Sequence, residues 1–181
     1  MTLRNTAARW GSAARFFHWA GAALIFYLLI HGWWMTEMAP RPSRMPNYMT
    51  HAAVGYALIA FMALRLLWRG LNPVPELPAA TARWERVAAH AGHWGLYLLT
   101  LAAAFSGWAL AGTFRTPLHS FFGLFDVPAL VSAGDNRALH RMLEEAHEVL
   151  AWTLAALVAI HVASALWHWL WRKDDIFQRM L

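Results

Sequence analysis

The stretch HEVLAWTLAALVAIH, from His147 to His161, carries an imidazole at each end of a segment that otherwise reads as membrane hydrocarbon. An ionisable ring in apolar surroundings is costly unless it is hydrogen-bonded, paired or bound to a cofactor. Fourteen residues separate the two rings. At about 100° per residue that is nearly four turns, so both leave one helix face, roughly 21 Å apart along the axis. One helix thus presents a ring to each leaflet, and the fold must supply partners at two depths.

The rest of the chain agrees with a membrane setting. Of 181 residues 59% are apolar and only 14% charged, with 12 Trp, well away from the balance of a soluble domain. The net charge of +5 does not point to nucleic acid, because the arginines sit at the ends of apolar runs rather than on a polar domain. There is no Cys, which excludes disulfides, thiolate clusters and covalent haem attachment.

Four apolar runs are long enough to cross a bilayer, at about 14–35, 49–68, 90–112 and 146–171. Pro-rich segments, APRPSRMPN (39–47) and GLNPVPELPA (70–79), separate the first three. The last connection, 113–145, contains TPLHSFFGLFDVPALVSAGDN and reads as an interfacial loop with a short amphipathic piece. The expectation is one all-α domain over 1–181, an integral membrane four-helix bundle. The first run is too long for a signal-peptide core, and no small-residue cleavage site follows it, so it is kept as a span. Ten of the fifteen basic residues lie in the N-terminus (Arg4, Arg9, Arg15), the second connection (Arg65, Arg69, Arg83, Arg86) and the C-terminus (Arg172, Lys173, Arg179). Both termini are therefore expected to be cytoplasmic.

With antiparallel neighbours, His18 at the start of the first span comes level with His161, and His51 at the start of the second comes level with His147. A haem iron takes two axial nitrogens on opposite sides of its plane, and its macrocycle fills the space between helices with apolar surface. Zinc or bare iron sites prefer three or more converging ligands at local spacings. Ala22, Gly55, Ala151 and Ala165, one turn past each ring, are all small, as close approach of a porphyrin needs and as ordinary membrane helix packing also favours. Haem propionates call for cations. Arg65, fourteen residues after His51, and Arg15, one turn before His18, are the inner candidates, with Arg137 or Arg141 at the outer end. Each is also read as an arginine snorkelling from a helix end.

RFFHW (15–19), THAAVG (50–55) with RLLWR (65–69), HAGHWGLYLL (90–99), and AHE (146–148) with IHVASALWH (160–168) and WRKDD (171–175) together resemble the bacterial cytochrome b561 family over essentially the whole chain. The resemblance implies a multi-pass protein of the inner membrane with two non-covalent, bis-histidine haem b groups, passing electrons between a donor and the quinone pool. It places the outer haem on His51 and His147 and the inner on His18 and His161. It further implies ubiquinone as substrate, and, by likeness to superoxide:ubiquinone oxidoreductases, superoxide as a periplasmic donor. Bis-imidazole ligation leaves no open iron position, so the inferred mechanism is a one-electron relay.

The remaining histidines divide by place. His90 and His93 open the third span and are candidate contacts to a quinone or propionate, with a plain polar helix start as the alternative; His93 competes for the inner ligand position. His168 is a quinone-adjacent candidate or a member of the aromatic belt with Trp167, Trp169 and Trp171. His31, thirteen residues after His18, is turned away from the ligand face and reads as interfacial beside Trp33 and Trp34. His119 and His140 read as solvated. At the outer face Arg41, Arg44, Arg115, Arg137 and Arg141 could attract an anionic donor, but Asp126, Asp135, Glu144, Glu145 and Glu148 share that side. An exposed small-residue face, Ala102 to Ala104 with Gly107, would permit a homodimer. Two alternatives stay open: an anchor cytochrome subunit of a partner dehydrogenase, and a haem-free, His-rich transporter bundle.

Overall fold

A computed structural model of the chain describes residues 2–78, 81–116, 118–132 and 136–181; Asp135, one of the outer acidic residues, lies outside them. Four helices dominate: α1 (Ser12–Glu37), α2 (Arg44–Gly70), α3 (Arg83–Ala111) and α4 (Arg137–Trp167). All four are long and apolar enough to cross a membrane. Their large exposed side chains, among them Leu64, Leu98, Val149, Trp152 and Ile160, suit a lipid surround and would be an aggregation liability in water.

Local chemistry sets the helix ends. A one-turn 3-10 helix, Arg41–Ser43, leads into α2, whose Pro46 falls in the first turn, where a missing N–H costs nothing. The third helix begins seven residues before the apolar run because the Glu85 carboxylate accepts from the Ala82 N–H at 2.8 Å and satisfies an orphan donor. The fourth begins nine residues early, capped by Asn136, whose side chain accepts from Leu139 N–H at 3.1 Å. At about 1.5 Å per residue, the 31 residues of α4 span roughly 46 Å and outreach the hydrocarbon core. The third connection is correspondingly shorter than the apolar pattern indicated. In place of the expected amphipathic piece it holds a minimal hairpin, β1 (Ser120–Phe121) against β2 (Phe125–Asp126), turned at Phe122 (φ 51) and Gly123 (φ 76). Beyond α4 a π-helical turn, His168–Arg172, ends in left-handed Lys173.

The helices form a meander in which α1 packs on α2, α2 on α3 and α3 on α4, while α4 approaches α1 and α2 only loosely. Side chains fill two zones. Leu58, Met62 and Tyr97 are buried with Leu24, Ile25, Leu28, Leu66 and Leu101 around them. Tyr56, Ala111 and Leu118 form the second, under the 118–127 loop, which Tyr56 fixes by donating its hydroxyl to the Leu118 carbonyl at 2.9 Å. Trp108 Nε1 donates to the Pro128 carbonyl at 2.8 Å and holds the same loop.

The N-terminal segment, the α2–α3 connection and the C-terminal tail meet at the opposite end. Asn5 donates to the Pro73 carbonyl at 2.9 Å, Arg179 to the Glu76 carbonyl at 2.6 Å, and Trp19 Nε1 to the Met180 carbonyl at 2.7 Å. The three basic segments identified in the sequence are therefore brought to one end of the bundle.

Candidate functional site

The imidazoles collect in two groups, one near each end, called outer and inner after the orientation expected from the basic residues. In the outer group, His51 of α2 faces His147 of α4 with ring centres 6.2 Å apart and planes at 86°. His147 is oriented by α3: its Nδ1 lies 3.0 Å from the Ala103 carbonyl and 3.1 Å from Ser106 Oγ. A carbonyl oxygen can only accept, so Nδ1 carries the hydrogen and Nε2 keeps its lone pair for a ligand. The ring lies so close to α3 that a Cβ on Gly107 would sit 2.9 Å from its Cε1. Ala103 is buried. The Ala102 to Ala104 and Gly107 stripe, expected to be an exposed dimer face, is thus in part an internal saddle for His147; only Ala102 and Phe105 around it remain exposed.

His31 has a neighbour that its expected place did not include. It stands beside Trp34 as expected, at 5.9 Å, but it also packs against Tyr27, at 5.1 Å and 12°, and His51, at 5.9 Å and 15°. The spacing along α1 turned it from the His18 face correctly, but toward α2 rather than toward lipid.

In the inner group, His161 of α4 has two imidazole neighbours, His18 of α1 at 6.2 Å and His93 of α3 at 5.7 Å. Packing separates the two. Helices α3 and α4 are in tight contact at this level, where a Cβ on Gly95 would stand 3.1 Å from Leu157 Cδ2. The α1–α4 pair is loose. Close packing of α3 on α4 disfavours a macrocycle between His93 and His161, and the looser α1–α4 pair favours one between His18 and His161. Arg65 completes the group. Its guanidinium lies over the Tyr97 ring at 5.1 Å and beside α1, where a Cβ on Gly21 would be 3.1 Å from Nη1. Arg69 lies over Trp94 and Tyr97 at 5.7 and 5.5 Å. Among the described residues neither has a carboxylate partner.

The other expected site residues are spread more widely. Arg15 Nη1 donates to the Leu181 carbonyl at 2.6 Å and so fastens the C-terminal tail. His90 is exposed about two turns into α3, because the helix starts at Arg83 rather than at the apolar run, so neither it nor His93 is a helix-start residue. His168 is more than a belt residue: its Nδ1 lies 2.6 Å from Asp174 Oδ2. His140, expected to be solvated, pairs through Nδ1 with Thr113 Oγ1 at 2.6 Å and packs edge-on against Phe114. His119, also expected to be solvated, has a buried Nε2. Arg137 and Arg141 are exposed on the first turns of α4.

These residues fit a haem between each imidazole pair. A metal–imidazole bond is about 2 Å, and two such bonds plus half of each ring come to about 6 Å between ring centres; both pairs stand at 6.2 Å. The pairs bridge α1 to α4 and α2 to α4, the loosely packed helix pairs. A Cβ added at Gly55, one turn past His51, would meet nothing within 4 Å. Arg65 offers an uncompensated cation for a propionate.

The prokaryotic cytochrome b561 family model matches residues 9–181. Cytochrome b561 homolog 2 of Escherichia coli (strain K12) is 34% identical over 185 aligned positions, covering 100% of this chain and 95% of that protein. A Yersinia pestis protein named Probable superoxide oxidase CybB is 30% identical over 167 positions, 91% of this chain and 90% of its own length.

Proposed function

The chain belongs to the prokaryotic cytochrome b561 family, and from that premise we propose that it is a di-haem cytochrome relaying single electrons across the membrane from a small outer donor to a quinone. It is a multi-pass bacterial inner-membrane protein of an electron-transferring family. What carries the proposal is the pair of equal imidazole separations, 6.2 Å at each depth, set across the two loose helix pairs.

When bound, each haem would supply reversible one-electron chemistry. The chain's own residues do the rest. His18 with His161 and His51 with His147 would hold the two groups, and α4 would join them. Ala103 and Ser106 fix the His147 ring, and the loop tied by Tyr56 and Trp108 covers the outer end. Arg65, backed by Tyr97, balances negative charge at the inner group. The basic end, where both termini meet, is assigned to the cytoplasm by the excess of Lys and Arg. Quinone is reduced there, with His90, His93 and His168 at hand for its carbonyls or for a propionate. At the other face the exposed Arg41, Arg115, Arg137 and Arg141 stand among exposed Asp126, Glu144, Glu145 and Glu148, so charge there does not select the donor, and the name of the Yersinia relative makes superoxide the one to try first.

The test is haem stoichiometry with a redox titration of protein expressed with ample haem. About two haem b per chain and a biphasic titration are expected, with quinone reduced when superoxide is supplied. A colourless preparation, or a single haem titrating in one step, overturns the di-haem reading. Two haems without superoxide-driven quinone reduction would remove the donor assignment alone.

A further inference from the structure

The outer imidazole group has a third member that ligation does not use, and its hydrogen bonding is determined. Asn47 Nδ2 donates to the Ser43 carbonyl at 2.7 Å, which fixes the amide and turns Oδ1 toward His31 Nε2 at 3.4 Å. Since Oδ1 can only accept, His31 Nε2 carries the hydrogen and His31 Nδ1 is left with a lone pair. That Nδ1 is buried and has no partner among the described residues. The Nδ1 of His51 is in the same condition. His51 turns this edge toward α1, since a Cβ on Gly32 would lie 3.2 Å from its Cε1 and 3.8 Å from its Nδ1. Two neighbouring buried nitrogens are therefore both unsatisfied, in rings 5.9 Å apart and within 15° of parallel.

A metal-bound imidazole donates its second N–H to an acceptor that sets ring orientation and raises ligand basicity. For His147 the Ala103 carbonyl is that acceptor. For His51 no carbonyl or carboxylate among the described residues takes the part. We propose that His31 is the positioning residue for His51, accepting its Nδ1–H in a chain that runs from His51 through His31 and Asn47 to the Ser43 carbonyl. With the two Nδ1 edges facing each other in one plane, an N–H···N bond of about 3 Å plus half of each ring is about 5 Å between centres, so a side-chain adjustment of about 1 Å that brings those edges together completes it. Tyr27, stacked on His31, and the Asn47 bond hold the ring in place for this. The proposal rests on the haem reading above and adds to it an asymmetry: one outer ligand is backed by a backbone carbonyl and the other by a second imidazole.

Removing the acceptor lowers the basicity of His51 and so destabilises the oxidised iron relative to the reduced. The experiment is a spectroscopic redox titration of the full-length holoprotein in three variants, with the outer haem identified by its loss in His51→Ala. In His31→Phe, which keeps an aromatic ring against Tyr27 but has no acceptor, both haems are retained. The reduction equilibrium of the outer one shifts tenfold or more toward the reduced form, about 59 mV for one electron, and the inner one does not move. His31→Gln, with an amide oxygen as substitute acceptor, recovers most of the shift. Asn47→Leu frees the ring and shifts the outer midpoint the same way, and it decides the matter if His31→Phe fails to assemble. An outer midpoint that stays put in His31→Phe or Asn47→Leu overturns the proposal. So does loss of the outer haem in a folded His31→Phe protein, which would make His31 a ligand. A wild type with fewer than two haems would instead fail the di-haem reading, and this inference with it.

Discussion

Alanine at His18 or His161 is expected to remove one haem and alanine at His51 or His147 the other, so that each of the four variants loses about half of the bound haem. The structure sharpens this beyond a count of ligands, because His161 has a nearer neighbour in His93, at 5.7 Å, than in His18, at 6.2 Å. Proximity alone would choose His93. Packing favours His18, since α3 and α4 touch closely through Gly95 and Leu157, which disfavours a macrocycle between them. His93→Ala should therefore retain the inner haem, with at most a displaced midpoint. Absorbance spectra and haem stoichiometry of the five purified variants check the outcome. An inner haem lost in His93→Ala and kept in His18→Ala would reverse the assignment and require α3 and α4 to part.

A side chain at Gly107 should be nearly as damaging as loss of His147 itself. A Cβ there would meet His147 at 2.9 Å from Cε1 and 3.2 Å from Nδ1, within the space the ring needs to reach the Ala103 carbonyl. Gly107→Leu forces the imidazole away from α3 and breaks the hydrogen bond that keeps its Nε2 lone pair aimed at the ligand position. Disrupting such supporting contacts typically costs ten- to hundredfold in metal affinity, so the outer haem should be largely absent after purification while the inner one stays. Gly92→Ala is the matched control: it lies on the same helix, a Cβ there meets nothing within 4 Å, and the change should be neutral or stabilise α3 by up to about 1 kcal/mol. Full outer occupancy in Gly107→Leu would falsify the saddle.

The sequence carried the architecture because apolar run length and helical phase are both local. Fourteen residues between His147 and His161 place them on one face whatever surrounds them, and the end-to-end levels of His18 and His51 follow from alternating direction. What it could not carry were relations between helices. His31 was judged only against His18 on its own helix; that it meets His51 depends on how α1 and α2 sit side by side, which no spacing within α1 encodes. Gly107 was legible as a place where something approaches closely, but not that the approaching group is an imidazole of the same chain. The start of α3 was within reach, since Glu85 two residues after Arg83 is a capping signal that hydropathy ignores. The hairpin at 120–126 hid behind an apolar FFGLF run whose one turn marker is Gly123.

The loose fit of α4 against α1 and α2 also bears on biogenesis. The first three helices close on one another through their own side chains, so they can settle as soon as they enter the bilayer. The fourth packs closely on α3 and only loosely on α1 and α2 among the described residues, so on the haem reading it is expected to be locked when porphyrin arrives. Supply of the pigment then governs the lifetime of the newly made chain: in haem-starved cells membrane proteases should clear it faster, with the first cuts beyond α3, and a pulse-chase comparison of fed and starved cultures would show the difference.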